Sequence, residues 1–298
     1  MQPCKSISPS IILQKGRFAT KPGTIYITAT PIGNLGDITI RAIETLQSVD
    51  FIICEDTRKT AILLKHYGIK SKLFIYNDHS DSAQRDKFIS QLQAGKSAAL
   101  VSDAGMPLIA DPGYKLIADA VAAGVEVSVI PGPSATLSAI ALSALPSDRF
   151  IFYGFMPEKE AARQKAVEEI TPLPYTTVFF ESPKRLSSLL EFMASVMPQR
   201  KMAIAREITK LHEEVYRGDV AGALAWASAH THLKGEIVVV LDAGITDKQT
   251  PEQLESLALQ MLESHSIKDT AQELSKSFSI PKKQLYELCL KLKNSITT

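Results

Sequence analysis

Three short turns carry the residue types with which a backbone can hold a ligand. They are Pro31-Ile32-Gly33-Asn34-Leu35-Gly36, Asp103-Ala104-Gly105-Met106 and Pro131-Gly132-Pro133-Ser134-Ala135. Each is rich in Gly, Pro or small side chains, so N–H and C=O groups can come close to a bound molecule. Such a lining suits a ligand with both ammonium and carboxylate groups. It also suits a sulfonium, which needs acceptors rather than donors. Two common phosphate cradles are excluded. No Lys follows the glycines as a G-x-x-x-x-G-K-[ST] loop requires, and only Gly33 and Gly36 stand where G-x-G-x-x-G needs three. Alone, the first turn reads as a tight strand-to-helix connection. Its two companions shift the reading to a ligand site.

A second set of turns is charged: Glu55-Asp56-Thr57-Arg58, Glu181-Ser182-Pro183-Lys184-Arg185 and Arg206-Glu207-Ile208-Thr209-Lys210. Arg58, Lys184, Arg185, Arg206 and Lys210 offer local positive charge to phosphates. The alternative for each is a solvated charge at a strand end. His79, following Asp78 in another strand-end loop, is a candidate substrate contact, whereas His212, His230 and His232 read as surface or structural residues. Cys4, Cys54 and Cys289 are far apart and belong to no Cys/His cluster, so no metal is expected and a reducing, cytoplasmic setting is. The sequence shows no nucleophilic triad and no carboxylate pair of diagnostic spacing.

The elements that must position these turns alternate. Ile25–Thr28, Val49–Cys54, Lys72–Tyr76, Ser97–Ser102 and Glu126–Ile130 read as strands, and helices follow the turns after them. Thr39 is placed to cap the first helix. This pattern predicts an α/β unit with a largely parallel sheet, whose ligands bind beyond the strand ends. A second α/β unit follows, with strands at Phe150–Gly154, Thr176–Phe180, Lys201–Ala205 and Glu236–Leu241 and with Gly218–Ala229 as turn and helix. Three helices close the chain, near Pro251–Ser264, Lys268–Ser277 and from Pro281. Ala271, Leu274, Ile280 and Leu285 are spaced as in a helix-turn-helix; a plain helical cap is the alternative. The expected division is an extension over 1–22, α/β domains over 23–145 and 146–245, and a small helical domain over 250–298. The extension is basic and resembles a transit peptide, with an ordinary N-terminal extension as the alternative.

Bulk properties set limits on these readings. A chain of 298 residues with 45% hydrophobic and 22% charged content suffices for two cores. A net charge of +1 excludes a global basic field, so any nucleic-acid contact must come from a local patch. No apolar run reaches the ~18 residues of a membrane span.

The ordered segments TATPIGNLGDIT, SDAGMPLIADPG, VSVIPGPSA, FFESPKRL, AREITKLHEEVYRG and GEIVVVL resemble the tetrapyrrole (corrin/porphyrin) methylase superfamily over about residues 23–242. CEDTRKT, ESPKRL and REITK resemble its branch that methylates ribose 2′-hydroxyls of 16S ribosomal RNA at a decoding-site cytidine. Asn34 stands where corrin methylases carry Asp, which argues against a tetrapyrrole substrate. The resemblance implies S-adenosylmethionine as methyl donor, the small ribosomal subunit as partner, a homodimer, and a cofactor cleft between the α/β units. It places Ile32, Gly33, Asp103, Gly105, Met106, Ser134 and Ala135 against the cofactor, with Phe180 and Ala205 toward the adenine. If a base removes the hydroxyl proton, Glu55 and Asp56 are expected, because Glu181 and Glu207 have basic neighbours and Asp103 belongs to the cofactor turn. The rival readings are a porphyrinoid methylase and a non-enzymatic RNA- or ribosome-binding protein.

Overall fold

The structure, a computed structural model, describes residues 19–77, 82–230, 233–244, 251–262, 264–278 and 282–296. Short β-branched and aromatic runs form the first sheet: β1 (Thr24–Thr28), β2 (Phe51–Cys54), β3 (Lys72–Ile75), β4 (Ala98–Val101) and β5 (Glu126–Ile130). Their order is β3-β2-β4-β1-β5, with every pairing parallel. All of β2 and β4 is buried, as expected for central strands covered on both faces. The covering helices include α1 (Ile40–Ser48), α2 (Thr57–His66), α3 (Ser82–Gln93) and α4 (Tyr114–Ala122), with α5 (Ala135–Ser143) after β5. Strand alternation sends Tyr26 and Ile52 to a core with Ile43, Leu46 and Leu63, and Ile25, Phe51 and Ile53 to one with Phe88, Leu92 and Leu116. Thr39 caps α1 as expected, its Oγ1 accepting from the Ala42 N–H at 3.1 Å.

The second sheet has the order β6-β7-β10-β8-β9, built from β6 (Phe150–Phe155), β7 (Thr176–Glu181), β8 (Lys201–Arg206), β9 (Glu214–Asp219) and β10 (Ile237–Leu241). Only β6 and β7 are parallel; the other pairs are antiparallel. One face packs on α6 (Glu160–Ile170), α7 (Pro183–Val196) and α8 (Val220–Ala229) through Phe179, Ile204 and Val239 against Leu186, Met193 and Val220. The opposite face brings Val178, Ala203, Ala205, Val238 and Val240 against Ile32 and against Ala139 and Ile140 of α5. The helix after the first sheet's last strand therefore seals the second sheet, and the two sheets share a core. Sequence reading assigns no strand to Glu214–Asp219, so β9 is a correction. An edge strand needs apolar residues on at most one face, and EVYRGD carries too weak an alternation to announce one.

The chain ends in α9 (Pro251–Leu262), α10 (Ile267–Phe278) and α11 (Lys282–Ile296). Ala271, Leu274 and Leu285 join Ala258, Leu262 and Cys289 in a small core of their own. Ile280 lies outside the described residues.

Candidate active site

Parallel strands deliver their following turns to one edge, and local bonding ties these turns together. The Thr30 N–H donates to the Gly105 carbonyl at 2.9 Å and the Gly105 N–H returns to Thr30 at 3.0 Å. Thr30 Oγ1 donates to the Ser102 carbonyl at 3.2 Å. Gly105 has φ +84°, and a Cβ there would sit 3.2 Å from Ile32 Cγ2. A side chain at that point would be strained and would crowd the first turn. Ser134 caps α5, accepting from the Leu137 N–H at 3.4 Å.

A cavity of about 470 Å³ opens between these turns and the ends of β6, β7 and β10. That volume lies within the usual range for small-molecule sites, roughly 300–1,000 Å³. The first sheet contributes Ile32, Glu55, Lys59, residues 103–106, Ile109, Asp111 and residues 134–136; the second contributes Phe155, residues 180–183, Arg185 and residues 235–238. Phe180 stands edge-on to both Phe152 and Phe155, with ring centroids 5.1 Å apart in each case. An aromatic and aliphatic wall suits a flat heterocycle. The facing wall of small residues, carbonyls and carboxylates suits a cationic sulfonium and its amino acid arm. These residues therefore fit S-adenosylmethionine. No group of three or more metal-ligating side chains occurs among the described residues.

Most charges on the wall are paired. Asp103 Oδ1 accepts from the Asp56 N–H at 3.2 Å and Oδ2 from Lys59 Nζ at 2.7 Å. Glu181, fully buried at its side chain, accepts through Oε1 from the Ser182 N–H at 2.6 Å and Arg185 Nε at 2.8 Å. Glu236 is 3.1 Å from Lys210 Nζ. Asp111 differs. Burial pushes its carboxyl up to about 6, helped by the negative charges of Glu55 and Asp103 and opposed by a hydrogen bond with Ser102.

The structure brings Ile32, Glu55, Asp103, Gly105, Met106, Ser134, Ala135, Phe180 and Arg185 together on the cavity wall. It does not bring Gly33, Ala205, Asp56, Arg58, Lys184, Arg206 or Lys210 there. Gly33 lies beneath Lys210, and a Cβ on it would meet Lys210 Cγ at 2.5 Å. Ala205 is buried in β8 opposite Val238.

Asp56 caps α2. Its Oδ1 accepts from the Arg58 N–H at 2.8 Å, and Arg58 holds its carboxyl down at about 2, which makes it a poor proton acceptor. Arg206 and Lys210 make ties within the chain. Arg206 Nε and Nη2 donate to Glu214 at 3.2 and 3.1 Å, and Lys210 Nζ bridges Glu207 at 2.8 Å and Glu236 at 3.1 Å. Arg58 keeps an 89% exposed side chain, and Lys184 is exposed. His79 lies outside the described residues.

Sequence reasoning missed Lys59 and Asp111. Lys59 stands next to Arg58 in the same charged segment, so a signal was present. Asp111 lies in a loop whose Leu108 and Ala110 hold φ of 75° and 63°, which no residue pattern announces.

Comparison with known proteins gives the same direction. Residues 24–224 match the family Tetrapyrrole (Corrin/Porphyrin) Methylases. A protein of Mesorhizobium japonicum named ribosomal RNA small subunit methyltransferase I is 42% identical, the match covering 91% of this chain and 92% of that one. Its namesake from Escherichia coli O157:H7 is 40% identical over 90% and 95%, and that of Thermotoga maritima is 45% identical over 74% and 98%. Among solved structures, a uroporphyrin-III-C-methyltransferase of Thermus thermophilus shares the fold at TM-score 0.53 and 17% identity, covering 74% of this chain and 94% of that one. A diphthine synthase does so at 0.55 and 14%, covering 74% and 89%. The chain belongs to the tetrapyrrole (corrin/porphyrin) methylase family of S-adenosylmethionine-dependent methyltransferases.

Proposed function

We propose that this protein methylates the ribose 2′-hydroxyl of a decoding-site cytidine in 16S ribosomal RNA of the small subunit. The observation that carries the reading is the cavity between the sheets, with a cofactor-sized apolar wall and a carboxylate-rich wall, in a chain about 40% identical to proteins named ribosomal RNA small subunit methyltransferase I. Asn34 fits this reading better than a porphyrinoid one. Its Oδ1 accepts from the Gly36 N–H at 3.0 Å, so the side chain closes its own turn as a neutral cap.

S-adenosylmethionine supplies an activated methyl group. The chain's own residues supply position and field. Backbone groups of Ile32, Gly105, Met106 and Ala135 would hold the amino acid arm, and Phe155 and Phe180 the heterocycle. Glu55, Asp103 and Asp111 give the pocket a negative potential that favours a cation. Holding the hydroxyl in line with the methyl carbon can lower the barrier by roughly 7–11 kcal/mol. A carboxylate of the cavity wall, where Glu55 and Asp111 both stand, takes the hydroxyl proton. Arg58 and Lys184, both exposed, present charge to the RNA backbone. The protein works as a cytoplasmic homodimer, with α/β domains over 23–145 and 146–245 and a helical RNA- or ribosome-binding domain over 250–298.

The experiment is mass mapping of ribosomal RNA from cells with and without the protein. Loss of one ribose methyl group at a decoding-site cytidine is expected. An unchanged methylation pattern would remove the proposal.

A further inference from the structure

Five carboxylates line the cavity: Glu55, Asp103, Asp111, Glu181 and Glu236. Three are clasped by cations: Asp103 by Lys59 at 2.7 Å, Glu181 by Arg185 at 2.8 Å and Glu236 by Lys210 at 3.1 Å. Each of these three has an oxygen committed to an ammonium or guanidinium. Glu55 is exposed, so water competes for its oxygens. Asp111 is half-buried and makes no ion pair among the described residues.

The loop around Asp111 is built to hold it there. Leu108 and Ala110 adopt left-handed φ of 75° and 63°, a conformation disfavoured for side-chain-bearing residues. Gly113 follows at φ +127°, and a Cβ there would lie 2.8 Å from Leu108 Cδ2. Leu108 is itself packed beneath the sheet, against the core that contains Leu100 and Leu116. The chain is thus turned sharply on both sides of Asp111, with its side chain left on the cavity wall.

We propose that Asp111 is the catalytic base of this enzyme, accepting the proton of the substrate hydroxyl. The inference rests on the reading above that a ribose hydroxyl is the methyl acceptor. The hydroxyl proton passes to an Asp111 carboxylate oxygen as the substrate oxygen's lone pair forms a bond to the methyl carbon. The carbon–sulfur bond breaks with its electron pair staying on sulfur, which becomes a neutral thioether, and Asp111 then returns the proton to water. Burial, with the negative charges of Glu55 and Asp103, keeps the proton affinity of Asp111 high. Lys59 on α2 is engaged by Asp103. Across the cavity Arg185 is engaged by Glu181, and Glu236 by Lys210. A carboxyl protonating near 6 stays mostly ionised at neutral pH while remaining basic, as general-base catalysis favours.

The test uses the full chain with small ribosomal subunits in single-turnover methylation from pH 5 to 9, beside the variants Asp111→Asn and Asp111→Glu. Cofactor affinity is measured by calorimetry, and the Asp111 carboxyl is titrated by ¹³C NMR in the free protein. Wild type should show a rising limb centred near 6, matching the NMR titration. Asp111→Asn should lose the limb and about 10²–10⁴-fold in rate at pH 7 with cofactor affinity kept, and Asp111→Glu should regain part of the rate. An Asp111→Asn variant that keeps the limb, or whose rate loss equals its loss of cofactor affinity, overturns the base. A wild type that leaves the ribose unmethylated overturns the substrate reading and the base with it, whereas methylation at equal rates by wild type and Asp111→Asn overturns the base alone.

Discussion

Replacing Asp111 by Asn should make the free protein more stable at neutral pH, by an amount that depends on pH in a defined direction. The folded carboxyl protonates at about 6 against 3.8 for an unperturbed aspartate, burial being the main cause. A folded pKa above the unfolded one means that the native state binds the proton more tightly. The stabilisation from that proton is complete below pH ~4 and is lost as pH rises through about 6. Above that window the fold holds an ionised, half-desolvated carboxylate. A difference of about two pK units corresponds to an upper figure of about 3 kcal/mol, and water reaching a half-buried group reduces it to about 1–2 kcal/mol. Asn occupies the same volume and carries no charge. Urea unfolding of both proteins at several pH values from 4 to 8 should give equal midpoints at pH 4. They should separate between pH 4 and 6 and then stay about 1–2 kcal/mol apart, Asn being the more stable. Taking the difference between two proteins cancels most other titrating groups. A gain that is the same at pH 4 and pH 8 would refute the electrostatic reasoning, and so would a destabilised variant at neutral pH. Stability gained with turnover lost is the usual trade at functional sites.

Gly33→Val should push Lys210 off the first turn, break its pairs with Glu207 and Glu236, and lower stability by about 1–2 kcal/mol; a chemical melt equal to wild type would show that the turn can move aside. Arg200→Met should cost about 2–4 kcal/mol, because the buried guanidinium donates to the Asp242 carbonyl at 2.9 and 2.7 Å and to that of Thr171, leaving these acceptors orphaned; its cofactor affinity below the melting transition should be unchanged by calorimetry. Arg58→Ala and Lys184→Ala should each weaken RNA binding and reduce the salt slope by about one, whereas Arg206→Ala should act on stability, since its partner is Glu214. Removing all residues after Gly244 should weaken binding to the small subunit and leave calorimetric cofactor affinity intact; an insoluble product would support the cap reading of the tail.

Much of the architecture is legible from local chemistry. Buried strands such as FIIC and AALV announce themselves by unbroken apolar runs, and Thr39 marks a helix start by its capping oxygen. The three small-residue turns are legible as a set, because parallel strands must deliver them to one edge. What stays hidden is every property that depends on a distance across the fold. Arg206 looks like a free cation until antiparallel pairing of β8 with β9 sets Glu214 opposite it. Lys210 looks like a phosphate ligand until Glu236, twenty-six residues on, closes to 3.1 Å. Asp56 and Asp111 are the same residue type in similar strand-end turns, yet one carboxyl lies at about 2 and the other at about 6. Residue type sets only the starting acidity. The energy of a charge depends on what surrounds it at a few ångströms, and tertiary structure alone sets those neighbours.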